Sequence, residues 1–234
     1  MRADHYDEFA DGYDAENAAS LVNAYYERPA MLELAGDVRG RRILDAGCGS
    51  GPLSAALRER GADMTGIDGS PAMLDLARAR LGTDVPLQLA DLAEPLPFPD
   101  DSFDDVVASL VLHYLPDWSA TLAELRRVLK PGGRLIGSVN HPFARAYNYP
   151  DEDYFAVEQF SEEYDFAGTP GVLTYWHRPL HTIIEEFVAA GFEIKVIDEP
   201  AHSPDTPPEL LPPLIRSGER TRFMSFLFFV LVAP

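Results

Sequence analysis

The sequence predicts an α/β fold: a single domain with a seven-stranded, mostly parallel sheet covered by helices on both faces. Three observations predict it. Strand-like apolar runs alternate with helical patterns along most of the 234 residues, as a parallel sheet with crossover helices requires. One of these runs, Ile43-Leu44-Asp45-Ala46, meets glycines at 47, 49 and 51 and passes into a helical pattern at Leu53. The last two strand runs have no helical pattern between them, which suggests that they pair antiparallel.

The elements follow in order. Residues 1–40 read as a helical cap: Leu21, Ala24, Tyr25, Met31 and Leu34 recur at helical spacing, with Asn17 or Ser20 as a cap. Pro29 interrupts or restarts a helix there. Strand one covers 41–46 and a short helix 53–60, stopped by Gly61. Strand two covers 63–67. The helix over 70–81 has Pro71 in its first turn and Gly82 after its end. Strand three, 85–90, runs into a turn rich in proline (Pro95, Pro97, Pro99). Strand four is 103–109. The helix over 118–129 buries Leu122, Leu125, Val128 and Leu129 and is stopped by Lys130-Pro131-Gly132-Gly133. Strand five covers 134–139, a helix 180–190, strand six 192–198 and strand seven 223–232. The Pro-rich stretch 200–213 reads as an irregular surface loop, and the linker it belongs to is long enough to hide a short helix.

Residues 140–178 break the alternation. They hold ten aromatics (Phe143, Tyr147, Tyr149, Tyr154, Phe155, Phe160, Tyr164, Phe166, Tyr175, Trp176) in a chain with 13 Phe, 10 Tyr and 2 Trp. The stretch follows strand five, at the carboxyl edge where open α/β sheets bind ligands. It reads as an aromatic lid over an apolar pocket, or as a long loop anchored by its rings. The resulting plan is a cap over 1–40, a cofactor-binding core over 41–139, the lid over 140–178, and a helix with two strands over 179–234.

Composition narrows the function. The formal net charge is −19, so nucleic acid is not the expected partner. A single cysteine, Cys48, allows no internal disulfide. The N-terminus shows no apolar signal segment, and the apolar run 223–233 is far shorter than the roughly 20 residues of a bilayer span. A cytoplasmic protein with a small-molecule substrate, off the membrane, as monomer or homodimer, is the expectation. No metal site stands out. Asp100, Asp101, Asp104 and Asp105 read as a solvated acidic turn. The acidic lid (Asp151, Glu152, Asp153, Glu158, Glu162, Glu163, Asp165) reads as a solvated loop, or as a field favouring a neutral or cationic substrate.

The glycine turn points to a cofactor. Glycine accepts positive φ and lets a ligand lie on bare backbone. The helix that follows offers unpaired N–H groups to an anionic group. The third glycine comes one residue earlier than in the G-x-G-x-x-G dinucleotide fingerprint, which lowers the expectation of NAD or FAD. Asp68, at the end of strand two, suits the two hydroxyls of a ribose. Asp91, after strand three, suits an adenine amino group or closes an Asx turn.

These segments together resemble the class I S-adenosylmethionine (SAM) dependent methyltransferases of small-molecule type. Leu44-Asp45-Ala46-Gly47-Cys48-Gly49-Ser50-Gly51 is similar to their first motif, and Gly66-Ile67-Asp68-Gly69-Ser70-Pro71-Ala72-Met73-Leu74 to their second. Leu96-Pro97-Phe98-Pro99-Asp100-Asp101-Ser102-Phe103-Asp104 and Arg127-Val128-Leu129-Lys130-Pro131-Gly132-Gly133 resemble the approaches to strands four and five. The resemblance implies a Rossmann-like sheet of order 3-2-1-4-5-7-6 with strand seven antiparallel. It also implies SAM as cofactor. Gly47, Gly49 and Gly51 would pack under its methionine part, with Cys48 a small residue in the tight turn. Asp45 would face its amino group, and Asp68 with Gly69 its ribose. Asp91 and Leu92 would face the adenine, with Met73 on the adenine plane. Ser109 and Val111 would line the site near the sulfonium, and Tyr13 and Tyr26 would close over the cofactor.

The implied reaction is methyl transfer to a small aromatic or hydrophobic molecule, with oxygen the first acceptor and nitrogen or carbon next. A base is needed only where the acceptor must lose a proton. His113 and His141, at the carboxyl edge after strands four and five, are the candidate catalytic residues, each with a structural reading beside it. Tyr114, His141, Tyr147, Tyr175 and His177 are the candidate substrate contacts. His181 brackets Arg178-Pro179 with His177 near the lid's end, and His5 and His202, in surface segments, receive no role. A NAD(P)-linked oxidoreductase and a SAM-binding regulator without catalysis are the alternatives.

Overall fold

The computed structural model describes residues 6–166 and 168–234; His5 lies outside them. Helix α1 (Ala10–Ala19) is followed by a π-helical turn, Asn23–Glu27, and by α2 (Arg28–Ala35). Ser20 caps the second segment by accepting from the Asn23 N–H. The wider turn absorbs Pro29: the Arg28 N–H reaches back five residues to Asn23, so the chain restarts as an α-helix with proline in its first turn.

Next come β1 (Arg42–Ala46), α3 (Pro52–Glu59), β2 (Asp63–Asp68), α4 (Pro71–Leu81), β3 (Leu87–Leu89) and β4 (Phe103–Ser109). They are followed by α5 (Ser119–Val128), β5 (Leu129–Asn140) and α6 (Pro142–Asn148). The antiparallel hairpin β6 (Glu158–Phe166) and β7 (Thr169–His177) forms a separate two-stranded sheet. The chain closes with α7 (Leu180–Ala189), β8 (Glu193–Asp198), α8 (Pro213–Arg216) and β9 (Phe226–Val232). Helix α8 is the short helix within the last linker.

The large sheet runs β3-β2-β1-β4-β5-β9-β8. Counting only its own strands, β8 is sixth and β9 seventh, so the order is the expected 3-2-1-4-5-7-6. The first five strands are parallel, and β9 runs antiparallel to both β5 and β8. Alternate side chains go to opposite faces. Leu44, Val106, Leu135 and Phe229 pack with Trp118, Leu122 and Phe187 of the α5–α7 layer. Ile43, Val107, Ile136 and Phe228 pack with Met31, Leu53 and Leu57 of the α2–α3 layer. Order reverses between β1 and β4, which opens a crevice beyond their carboxyl ends.

Three expectations need correction. Residues 140–178 are not an irregular loop. Phe160, Glu162, Tyr164 and Phe166 turn to one face of β6 while Gln159, Ser161, Glu163 and Asp165 are exposed, a period-two pattern that the glutamate among the aromatics disguised. Asp105 is not solvated: it is fully buried between Arg41 and Arg134. Tyr26 does not close over a ligand; it is fully buried among Phe223, Phe226 and Phe228, with its hydroxyl donating to the Phe223 and Phe226 carbonyls.

Candidate functional site

Four joined chambers lie over the carboxyl ends of β1, β2, β4 and β5. The first is lined by Asp68, Gly69 and Met73 from the β2–α4 turn and by Asp91 and Leu92 after β3. Ser109, Val111 and Tyr114 after β4 complete it. The second is lined by Asp45, Cys48, Glu27 and Arg28. Tyr13, Gly47, Gly49, Ser109 and Leu110 face both. A third chamber holds His113, Tyr114, Tyr175 and Asn140, and it too shares Tyr13 and Leu110. The fourth, under the hairpin, holds His113, His141, His177, Arg145 and Arg178.

The strand-to-helix turn supplies the floor. Gly47 and Gly49 both have positive φ, +82° and +53°. A Cβ on Gly49 would point into open space, so the backbone there is bare to a ligand. The Gly49 N–H donates to Asp68 Oδ2 and the Ser70 N–H to Asp68 Oδ1, both at 2.8 Å. These bonds fix the carboxylate and leave lone pairs for ligand hydroxyls. Asp91 lines the first chamber, and its Oδ1 closes an Asx turn with the Ala93 N–H.

The second chamber, where the resemblance would place the methionine end of SAM, is electrostatically distinctive. Asp45 accepts from Ser54 Oγ at 2.6 Å, and burial pushes its carboxyl up to about 7. Burial likewise raises Glu27, against the Ser109 and Ser138 hydroxyls that stabilise its anion. Arg28 stands beside them, held by Asn17 Oδ1 at 2.6 Å. Two carboxylates and one guanidinium match an α-amino-acid zwitterion that bears one further positive charge. The bare glycine backbone, the Asp68 acceptor and this charge set fit SAM.

Asp45 carries a pH prediction. Its folded value lies above the ordinary one, so the protonated form stabilises the ligand-free fold. That contribution is fully present below about pH 4 and is lost as pH rises through about 7. Thermal and urea unfolding of ligand-free protein are expected to show Asp45→Asn relatively more stable at pH 8 than at pH 4, by about 2–4 kcal/mol. An unchanged difference across that range would refute the assignment.

The histidines are not placed as bases. His113 Nδ1 accepts the Asn140 N–H at 3.0 Å, and burial, with Arg178 nearby, holds its pKa down to about 3. It is a neutral imidazole whose Nε2–H can only donate. His141 Nδ1 accepts the Phe143 N–H and caps α6, while Nε2 meets Glu199 at 2.6 Å. Both nitrogens are spent on structure. His177 Nε2 donates to the Tyr154 carbonyl. Burial raises Tyr6, Tyr13, Tyr114 and Tyr175, so these hydroxyls stay protonated. Burial also raises the Cys48 thiol, which is no nucleophile.

Two expected residues stand apart. Tyr147 is 66% exposed and lines none of these chambers. Gly51 packs under α4, where a Cβ would meet Leu81 at 2.9 Å; it serves helix packing. Among the described residues no three potential metal ligands converge, and no helix is long and apolar enough to cross a membrane.

Several site residues had no sequence signal. Glu27 and Arg28 lie on an unremarkable cap helix. Leu110 adopts φ +50° at the junction of three chambers, a strained setting for a side-chain-bearing residue. Asp7 accepts from Ser70 Oγ, Asp14 pairs with Arg80 and Ser50, and Tyr6 bonds Tyr114. These contacts fasten the N-terminal segment over the glycine turn.

The family model of the methyltransferase domain matches residues 44–137. A malonyl-[acyl-carrier protein] O-methyltransferase from Serratia marcescens is 43% identical over 129 residues, 55% of this chain and 48% of that one. A demethylmenaquinone methyltransferase from Clavibacter sepedonicus is 41% identical over 133 residues, 56% of this chain and 54% of that one. The chain thus spans about half the length of these curated relatives. A solved SAM-dependent methyltransferase from Mesorhizobium loti superposes with a TM-score of 0.65 at 26% identity, over 87% of this chain and 96% of that one. With the motifs, the sheet order and the charge set of the chambers in agreement, residues 44–137 match the methyltransferase domain, the fold is that of the SAM-dependent methyltransferases, and the chambers fit SAM as cofactor.

Proposed function

We propose that this chain transfers a methyl group from SAM to a small aromatic or hydrophobic molecule, with oxygen the first choice of acceptor and carbon or nitrogen next. The observation that carries the reading is the junction at Tyr13 and Leu110, where the two cofactor chambers open into an aromatic one. Residues 140–178 act as the lid of that chamber. The family match ends at residue 137, before the hairpin, and the two curated relatives are named for different substrates. Choice of acceptor therefore belongs to the hairpin and cap, not to the core.

When bound, SAM supplies an electrophilic methyl on a sulfonium, open to in-line displacement. Asp68 would hold its ribose, Asp91, Leu92 and Met73 its adenine, Asp45 its ammonium and Arg28 its carboxylate. Tyr114, Tyr175 and the hairpin exclude water and orient the acceptor, and positioning of this kind is worth up to about 7–11 kcal/mol. His113 donates Nε2–H to an acceptor oxygen. Since neither His113 nor His141 offers a free lone pair, the reading favours an acceptor oxygen that arrives ionised.

Calorimetry with SAM and with NADH, followed by mass analysis of extracts incubated with enzyme and methyl-labelled SAM, tests this. The expected result is SAM binding, no NADH binding, and a labelled small molecule. Binding of SAM without any labelled product would favour a regulatory protein over an enzyme.

A further inference from the structure

Glu27 is a buried acid that the family motifs do not include. Its Oε1 accepts from Ser109 Oγ at 2.6 Å and from Ser138 Oγ at 2.7 Å. These serines are register partners at the carboxyl ends of β4 and β5. The residue is 4% exposed, yet it lines the methionine-end chamber. Arg28, the nearest cation, is turned to Asn17. Among the described residues Glu27 has no salt-bridge partner.

A clamp between helix and sheet needs no charge here. A glutamine carbonyl would accept the same two hydroxyls and would spare the cost of burying an anion. The charge calls for a cation, and the position says which one. The residues facing both cofactor chambers include Ser109, so the atom that joins the adenosine and methionine halves of the ligand lies beside it. Asp45, in the same chamber, is the acid assigned above to the α-ammonium.

We propose that Glu27, acting through Ser109, is the counter-charge of the sulfonium and sets the preference for SAM over its demethylated product. This rests on the reading of the chain as a SAM-dependent methyltransferase. Methyl transfer breaks the carbon–sulfur bond, leaves its electron pair on sulfur and forms the new bond to the acceptor. The ligand then carries one positive charge fewer. A carboxylate facing that sulfur holds the substrate and releases the product.

The test is calorimetric affinity for three ligands: SAM, S-adenosylhomocysteine, and sinefungin, in which an amino-bearing carbon replaces the methylated sulfur. Glu27→Gln is expected to weaken SAM and sinefungin about tenfold, or about 1.4 kcal/mol, and to leave S-adenosylhomocysteine within about twofold. Ser138→Ala, which removes one clamp bond and keeps the charge, should leave the ratios unchanged. Equal weakening of all three ligands by Glu27→Gln, or an equal loss of preference in Ser138→Ala, would overturn the proposal in favour of a clamp. Should Glu27→Gln fail to fold, Ser109→Ala decides: lowered preference supports the link, unchanged preference overturns it. Wild-type protein that binds none of the three would instead refute the reading of the chain itself.

Discussion

Gly47→Ala is expected to lose about 2–5 kcal/mol of fold stability and all measurable SAM binding, whereas Gly49→Ala keeps most of its stability and loses SAM affinity. The two glycines look alike in sequence and differ in what surrounds them. At Gly47 a Cβ would stand 2.5 Å from Val111 Cγ2 and 2.9 Å from Val111 Cβ, at φ +82°. Left-handed backbone costs an alanine about 1–2 kcal/mol, and overpacking adds about 1–3 kcal/mol. Val111 also lines the first chamber, so relief of the clash displaces a wall of the site. At Gly49 the φ is +53° and a Cβ meets nothing within 4 Å. Only the backbone cost of about 1–2 kcal/mol applies to the fold. The new methyl, however, projects into open space at a residue that lines the same chamber as Asp68, and SAM affinity should fall at least tenfold. Urea unfolding and calorimetry on both variants separate the effects. A Gly49→Ala protein that binds SAM as wild type would remove the glycine backbone from the cofactor floor.

What was legible in the sequence is what is local. The alternation of strands and helices, the helix stop at Gly82 and the positive φ of Gly47 and Gly49 each follow from a few adjacent residues, whereas the order of the large sheet was implied by the family resemblance. The site beyond the glycine turn depends on pairs that local pattern cannot see. Ser70 and Asp7 are 63 positions apart, and Glu27 and Ser138 are 111 apart. Tyr26 shows the same limit, because an aromatic on a cap helix suits a lid and a core equally. Only the rings of Phe223, Phe226 and Phe228, nearly 200 residues away, decide it. His141 lies at the carboxyl edge as expected, yet its role turned on the partners of its two nitrogens, Phe143 and Glu199. The hairpin was hidden because its inward face mixes Glu162 with aromatics; Tyr164 donates to that carboxylate at 2.5 Å and makes the mixture tolerable.

Asp105→Ala should be the most destabilising single change at the far end of the sheet, with little effect on the site. Asp105 is fully buried near the start of β4. Arg41 donates Nη2–H to Oδ1 at 2.8 Å and Nε–H to Oδ2, while Arg134 donates to Oδ1 at 2.7 Å and to Oδ2 at 2.8 Å. Each carboxylate oxygen thus receives two guanidinium N–H groups. The arginines also reach the Asp104 and Ala35 carbonyls, so one carboxylate joins β1, β4, β5 and the end of α2. Both guanidinium groups are partly exposed, with side-chain accessibilities of 34% and 25%, which lowers the cost of leaving them unpaired. The buried acid between them still places the loss at about 3–5 kcal/mol, or roughly 6–20 °C in Tm for a domain of this size. Asp105→Asn keeps the shape and loses the charge, and should fall between. Ser109 lies four residues further along β4, about 13 Å at strand rise, so the SAM affinity of the folded fraction should stay within about threefold. A solvated acidic turn would instead shift stability by no more than about 0.5 kcal/mol. Urea unfolding of the two variants therefore separates the buried anchor from the solvated turn, and a change below about 1 kcal/mol would decide for the turn.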